Sequence, residues 1–178
     1  SIICVPTPFD YDEGQYDHSI VRKEVERISN RSYTGDHTTM IHSTVMPGVT
    51  DQMTSEFGLT NVAMVPEVLR EDSALEDVFE TEKIIVGTKS RQAYGTIRQA
   101  YPDDKTFVHV DPKEAELIKL TSNNFGSTKI SFANEVWRFA EEIGADGDVV
   151  LDEFRDICPW IGYPALKGGW PYGGACLP

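Results

Sequence analysis

The sequence has few cysteines, and they follow no pattern that would make them structural. Only three occur among 178 residues, at Cys4, Cys158 and Cys176, and no two of them form a CxxC pair. The four histidines are also scattered, without the spacing typical of metal ligands. An odd number of dispersed cysteines indicates neither a disulfide framework nor a zinc ribbon. We therefore expect no structural metal.

Basic residues are scarce relative to acidic ones. The 16 Lys and Arg residues and 29 Asp and Glu residues give a formal net charge of -13 at pH 7. Because that charge repels a phosphate backbone, non-specific nucleic-acid binding is disfavoured. A small phosphorylated ligand is still compatible, since a few backbone N–H groups and one or two cations can hold it locally.

Long apolar runs and a basic-then-apolar leader are both lacking. No run approaches the roughly 20 apolar residues that a bilayer-spanning helix needs. We therefore expect a cytoplasmic protein with no membrane partner. The sequence starts inside a β-branched run, Ile2 to Val5, and stops directly after a glycine-rich motif, so we expect a fragment truncated at both ends.

The sequence does contain an alternation of strands and helices. Runs rich in Val, Ile and Thr predict five strands, at residues 2–6, 39–45, 61–65, 84–88 and 106–110. The spacing of apolar residues predicts helices at 18–29 and 91–101. Strands that alternate with helices indicate an α/β fold with a largely parallel sheet covered on both faces.

After residue 110 the pattern becomes helical. Asp111, Pro112 and Glu114 form a capping-box-like start, and Gly144 supplies a stop, so a helix of roughly 30 residues is predicted over 112–143. One apolar stripe follows it, consisting of Ile118, Phe125, Phe132, Val136, Phe139 and Ile143. Packing in a core and packing in a dimer interface explain the stripe equally well. A shorter helix at 148–157 and a loop over 159–178 complete the chain.

Cys176 is a candidate nucleophile because two glycines and an alanine precede it and leave its sulfur accessible. Most free cysteines are buried and inert, which is the interpretation favoured for Cys4. For Cys176 the two interpretations are balanced, and a populated thiolate needs a nearby cation or helix N-terminus.

Lys119 and Asn123 lie four residues apart and share one face of the long helix. A cation and an amide donor on a rigid helix can stabilise a developing oxyanion. The alternative is an ordinary solvated polar face, which is the more frequent meaning of such a pair.

Polar side chains also follow three predicted strands. Glu67 and Glu71 come after the third strand, at the end where ligands bind in open α/β sheets, and either could act as a general base. Surface carboxylates are nevertheless common in this acidic chain. Thr7 and Thr44 follow the first two strands, where a hydroxyl either forms a turn or contacts a dinucleotide.

Seven segments, in this order, resemble the UDP-glucose/GDP-mannose dehydrogenase family over nearly the whole chain. They are ICVPTP (3–8), STVMPGVT (43–50), VPEVLRE (65–71), IIVGT (84–88), AELIKLTSNNFGSTKISFANE (115–135), GAD (144–146) and YGGACLP (172–178). Each motif is weak alone, whereas their joint order and spacing are specific.

The resemblance implies an NAD-dependent, four-electron oxidation of a nucleotide sugar, with UDP-glucose to UDP-glucuronate as the first choice, in polysaccharide biosynthesis. Cys176 would attack the aldehyde formed by the first oxidation, giving a thiohemiacetal and then a thioester that water hydrolyses. Lys119 and Asn123 would stabilise oxyanions, and Glu67 would be the base for hydrolysis.

The resemblance also implies binding roles for other residues. Thr7, Thr44 and Glu71 would lie near the cofactor, with Thr44 also close to the reacting centre. Glu67, Lys119 and Asn123 would contact the sugar as well, and the backbone of Val68, Leu69 and Gly173 would cradle it, with Trp170 in place of the usual aromatic residue.

The implied domains are the C-terminal part of an NAD-binding Rossmann-like domain at 1–110 and a central helical domain at 111–178. The long helix, 112–143, would form a homodimer.

The sequence departs from the family pattern at several points. The 178 residues contain no GxGxxG turn, which holds the pyrophosphate in the family, so we expect the isolated chain to bind NAD poorly. The Lys-Asp that normally follows the cysteine motif is missing too. Val68 replaces a phenylalanine, and GGWPYGG replaces GFGYGG. GDP-mannose or a UDP-N-acetylhexosamine is therefore an alternative substrate, and a non-catalytic remnant is an alternative function.

Overall fold

The computed structural model describes residues 1–33, 36–69, 73–158 and 166–171. In chain order its elements are β1 (Ile2–Ile3), β2 (Phe9–Asp10), β3 (Gln15–Tyr16), α1 (Ser19–Ser29), β4 (Thr39–Ile41), α2 (Val49–Glu56), β5 (Val62–Met64), α3 (Ala74–Glu80), β6 (Lys83–Gly87), α4 (Arg91–Ala100), β7 (Thr106–Val110), α5 (Pro112–Glu142) and α6 (Gly147–Ile157). The chain divides into two compact units, Ser1–Leu120 and Thr121–Pro178.

The first unit is built on a five-stranded sheet in the order β1-β4-β5-β6-β7. The pairs β1–β4, β4–β5 and β6–β7 are parallel, and β5–β6 is antiparallel. The predicted α/β class and the largely parallel sheet are therefore confirmed. The strands β1 and β4 are shorter than the predicted 2–6 and 39–45. The two-residue pairing of β2 with β3 was not predicted.

Alternating side chains give the sheet two apolar faces. On one face Ile3 and Ile41 pack with Val21 and Val25 of α1. On the other face Val65 packs with Tyr94 and Ile97 of α4. Burial of each aliphatic side chain of this size contributes about 1.5–3 kcal/mol. These two clusters hold the strand ends in fixed positions.

The long helix begins and ends where local interactions predict. Asp111 Oδ1 accepts the N–H of Lys113 at 3.0 Å, and Glu114 Oε2 accepts the N–H of Asp111 at 2.8 Å. This reciprocal pair is the expected capping box. The helix ends at Glu142, two residues before Gly144, whose φ of +78° suits glycine.

The second unit has its own small core. Ala133, Leu151 and Leu166 are buried there, with Trp137 packed against them. The predicted stripe on α5 is largely outside this core, since its members other than Val136 are 40% to 64% exposed: Ile118, Phe125, Phe132, Phe139 and Ile143. Core packing therefore does not explain the stripe. None of the helices in the described part of the chain has the length and apolar character needed to cross a bilayer.

The end of β6 is packed tightly against the start of α5. A Cβ on Gly87 would lie 2.5 Å from the Ala115 Cβ and 3.0 Å from the Pro112 Cα. We expect Gly87→Ala to lower the free energy of unfolding by about 1–3 kcal/mol in urea denaturation, because neither neighbour can move freely. Gly95→Ala is the matched control, since a Cβ there meets nothing within 4 Å and alanine is the better helix former. Equal stabilities of the two variants would contradict this close approach.

Candidate active site

Three predicted site residues follow strands that end at the same edge of the sheet. The strands β1, β4 and β5 are parallel neighbours, so their carboxyl ends lie side by side. Thr7 follows β1, Thr44 follows β4 and Glu67 follows β5. This is the edge at which open α/β sheets bind ligands.

Ser43 fixes the relative position of the first two strand ends. Its buried hydroxyl accepts the N–H of Val5 and donates to the carbonyl oxygen of Val5, both at 2.8 Å. The side chains of Thr7 and Thr44 lie just beyond this contact and are partly exposed. The edge therefore presents two small hydroxyl groups on a backbone that is firmly held.

Lys119 lies against Glu67. Its side chain is only 5% exposed, and Nζ donates to the carbonyl oxygen of Glu67 at 2.5 Å and to Oε1 of the same residue at 3.3 Å. Burial strengthens such a charged contact because little water screens it. The helix residue and the strand-end residue, 52 positions apart in the chain, thus form one ion pair.

The carboxylate of Glu67 is oriented from both sides. Oε2 accepts the N–H of Leu69 at 2.8 Å, while Oε1 faces Lys119. A carboxylate offers about four lone-pair sites, and the Glu67 side chain is 33% exposed. It therefore keeps acceptor capacity toward solvent, as a general base requires. The N–H of Leu69 is used within this turn, and Val68 is exposed.

His42 is a neighbour of Glu67 that was not identified from the sequence. Both residues line a groove of about 330 Å³, together with apolar side chains such as Ile84 and Tyr101. Burial lowers the pKa of His42 below its ordinary value, and the negative charge of Glu67 opposes that shift. The lowered pKa favours the neutral imidazole, and the cation in contact with Glu67 is Lys119. The sequence placed His42 inside the second predicted strand, 39–45, and only the structure ends that strand at Ile41.

Cys4 corrects one prediction. It was expected to be a buried, inert thiol, but it is exposed and lines the same groove as His42. The reason is strand alternation at the edge of the sheet. Ile3 points into the core, so Cys4, the residue directly after the two-residue strand β1, points to the opposite side.

The remaining predicted site residues are placed in part. Asn123 lies on α5 and is partly buried, and Trp170 is exposed, with its carbonyl oxygen 2.8 Å from Asn134 Nδ2. Glu71, Gly173 and Cys176 lie outside the described residues. Within the described ranges, no three His, Cys, Asp or Glu side chains come together as a set of metal ligands.

An open, mostly parallel α/β sheet with hydroxyl groups and a lysine–carboxylate pair at its carboxyl edge defines a nucleotide-binding domain with acid–base side chains. Residues 1–104 match the NAD binding domain, and residues 113–178 the central domain, of the UDP-glucose/GDP-mannose dehydrogenase family. The chain belongs to the UDP-glucose/GDP-mannose dehydrogenase family, as its motifs predicted.

Curated relatives carry two different substrate names. The chain is 39% identical over 119 residues to a UDP-glucose 6-dehydrogenase of Bacillus subtilis, an alignment that covers 66% of this chain and 27% of the relative. It is 31% identical over 196 residues to a GDP-mannose 6-dehydrogenase of Pseudomonas putida, covering 100% of this chain and 44% of the relative. The chain thus spans less than half the length of these relatives.

Solved structures show the same fold. A UDP-glucose dehydrogenase from Pyrobaculum islandicum superposes with a TM-score of 0.84 at 32% identity, covering 98% of this chain and 42% of that one. A GDP-mannose dehydrogenase from Pseudomonas aeruginosa superposes with a TM-score of 0.78 at 28% identity, covering 99% and 44%. These matches confirm the Rossmann-like character of the sheet.

NAD is confirmed as the cofactor of the family to which residues 1–104 belong. The residues present fit one end of such a ligand. The hydroxyl groups of Thr7 and Thr44 make no hydrogen bond to other described residues, and the contact of Ser43 with Val5 fixes the strand ends that carry them. Unused hydroxyls on a rigid strand edge suit the polar groups of a dinucleotide.

Proposed function

We propose that the protein oxidises a nucleotide sugar, UDP-glucose in the first place, to the corresponding uronic acid by removing four electrons at one carbon. The observation that carries the proposal is the buried ammonium of Lys119 held on Glu67, at the strand edge that also bears Thr44. A cation, a carboxylate and a hydroxyl group at a nucleotide-binding edge are the groups that alcohol and aldehyde oxidation needs.

Cys176 supplies the covalent step. The first oxidation removes a hydride and a proton from the primary alcohol and gives an aldehyde. The thiolate of Cys176 adds to the aldehyde carbon to form a thiohemiacetal, and loss of a second hydride and a proton gives a thioester. Water then cleaves the carbon–sulfur bond, releasing the acid and the thiol. The covalent bond retains the aldehyde between the two oxidations.

Lys119 stabilises the negative oxygen in these steps. An ammonium group has three N–H donors, and the two contacts with Glu67 leave one for a substrate oxygen. Because the side chain is buried, its charge is poorly screened, which increases its effect on a developing oxyanion. Asn123 adds an amide donor from the same helix.

Glu67 acts as the base in hydrolysis. Its contacts with Lys119 and Leu69 fix the carboxylate, and its exposed side lets it accept a proton from the attacking water. The backbone at Val68, Leu69 and Gly173 holds the sugar.

Thr7, Thr44 and Glu71 hold the cofactor end of the site. NAD, when bound, accepts the hydride in each oxidation. The two threonines contribute hydroxyl contacts from adjacent strand ends, and Thr44 lies on the segment directly after β4. We assign residues 1–110 to the NAD-binding domain and 111–178 to the central domain.

We also propose a homodimer through α5. The phenylalanines of its stripe, Phe125, Phe132 and Phe139, are 48% to 63% exposed in the single chain. Large apolar side chains aligned on one exposed helix face favour association with a second helix. The exposure of these side chains supports a dimer interface rather than packing in a core.

The substrate is tested with the complete gene product and a panel of nucleotide sugars. UDP-glucose is expected to give the highest kcat/KM and two NADH per sugar, ahead of GDP-mannose and UDP-N-acetylhexosamines. UDP-xylose is the matched control, because it lacks the primary alcohol and should give no NADH. A higher kcat/KM for GDP-mannose would select the second candidate, which relatives with that name support. No NADH with any sugar would instead favour a non-catalytic binding protein.

A further inference from the structure

Glu116 is a fully buried carboxylate for which the chemistry above has no use. Its side chain lies on α5 and has 0% exposure. Oε2 accepts the N–H of Gly48, and Oε1 accepts the N–H of Thr50 at 2.7 Å. These amides belong to the first turn of α2, whose partial positive charge compensates the buried carboxylate.

The cap of α2 is supplied from a distant part of the chain. The residue before α2 is Gly48, which has a φ of +101° and no side chain with which to cap the helix. A Ser, Thr, Asn or Asp at that position would be the usual local solution. Here the cap comes instead from a glutamate 68 residues further along the chain. The contact therefore caps the N-terminus of α2 and also joins α2 to α5.

The two joined segments carry the two halves of the candidate site. Gly48 ends the short segment that leaves β4 and includes Thr44. Glu116 lies three residues before Lys119 on α5, and the side chains of both are buried. Residues at this spacing lie on neighbouring positions of one helix face. One side chain thus connects the turn that carries Lys119 to the segment that carries Thr44.

We infer that Glu116 is a positioning residue that sets the distance between the cofactor side of the site, at Thr44, and the substrate side, at Lys119. It touches neither ligand and acts through the backbone of Gly48 and Thr50. The inference rests on the proposed function, since it takes Thr44 as a cofactor contact. Loss of the carboxylate charge would release the segment and weaken NAD binding, without removing any group that contacts NAD.

The test is a double-mutant cycle read by NAD affinity in the complete gene product. Glu116→Gln keeps the shape of the side chain but replaces one oxygen by an amide donor that faces a backbone N–H. We expect it to raise the NAD dissociation constant about 5- to 20-fold by calorimetry. Thr44→Ala should weaken binding similarly, and the double variant should lose little more than either single variant. If the fold-increase in the NAD dissociation constant of the double variant equalled the product of the two single increases, the inference would be overturned.

Glu114→Gln is the matched control. Glu114 lies on the same helix, but its exposed carboxylate caps α5 itself by accepting the N–H of Asp111. The NAD affinity of the Glu114→Gln variant should stay within about twofold of that of the parent protein. An equal loss in Glu114→Gln and Glu116→Gln would mean that any change in the start of α5 weakens NAD binding, which contradicts a specific role of Glu116.

A second variant keeps the test decisive if Glu116→Gln does not fold. Gly48→Ala strains the same contact from the α2 side, because alanine rarely adopts φ near +101°, and it leaves the buried charge in place. Gly48→Ala should weaken NAD binding, and its combination with Thr44→Ala should lose little more affinity than either single variant. Unchanged NAD affinity in Gly48→Ala would refute the inference. Absence of NADH formation in the parent protein would defeat the proposed function, but these affinities would still decide the role of Glu116.

Discussion

Cys176→Ala is expected to stop the reaction after the first oxidation. Without the sulfur no thiohemiacetal or thioester can form, so the aldehyde has no covalent route to the acid. Formation of the uronic acid should fall by at least about 10⁴-fold, which is the scale of loss when a covalent nucleophile is removed. The measurement is NADH per sugar in a single turnover, with at most one expected in place of two.

Cys158→Ala provides the control for this change. Cys158 directly follows α6 in the second unit, is partly exposed and has no role in the proposed chemistry. It should retain two NADH per sugar and a rate within about twofold of the parent. Two NADH per sugar in Cys176→Ala would refute the covalent mechanism while leaving the fold and the family untouched.

Lys119→Met is expected to have the second largest effect. Methionine has nearly the length of lysine without its charge, so the carbonyl oxygen and Oε1 of Glu67 would both lose the donor that Lys119 supplies. Removal of one donor to a developing oxyanion lowers kcat by about 10²–10³-fold. The lost hydrogen bonds should also lower the free energy of unfolding by about 1–3 kcal/mol. Steady-state kinetics and urea denaturation measure the two effects separately.

Lys113→Met separates this effect from a general loss of charge. Lys113 lies on the same helix but is exposed, and its backbone N–H makes the contact with Asp111. The kcat of the Lys113→Met variant should differ from that of the parent by less than about twofold. If Lys119→Met lost stability but kept its kcat, Lys119 would be a structural residue, and the oxyanion would need another donor.

The elements that could be predicted are those whose causes lie close together in the sequence. The start of α5 depends on Asp111 and Glu114, three residues apart, and its end depends on Gly144. The five sheet strands were visible because each one is a β-branched, apolar run. Their true lengths were not, since a strand such as β1 ends where its neighbour stops pairing, after Ile3.

Two helices were missed because their stabilisation is not local. The helix α2 has no capping side chain of its own, and Glu116 provides the cap from α5. The helix α3 buries no residue, so its apolar side chains, including Leu75 and Phe79, show no inward-facing stripe. A helix without a buried face has no regular spacing of apolar residues by which it can be predicted.

The candidate site was predictable as a list of residues but not as an arrangement. Lys119 and Glu67 were each singled out, while their contact depends on how α5 crosses the end of β5, which no local pattern specifies. His42 lines the same groove as Glu67 because β4 and β5, the strands that precede these residues, are parallel neighbours, and it had no distinguishing motif. The exposure of Cys4 was predicted wrongly because an apolar run suggests burial of every member, although alternate residues face opposite sides.

The phenylalanines on α5 occur at every seventh position, namely Phe125, Phe132 and Phe139. Seven residues fall short of two full turns of an α-helix, so each ring is displaced by about 20° from the one before it. The line through the rings consequently winds slowly around the helix in a left-handed sense. A second helix that kept contact with all three rings would bend with that line, and the two axes would cross at about 20°.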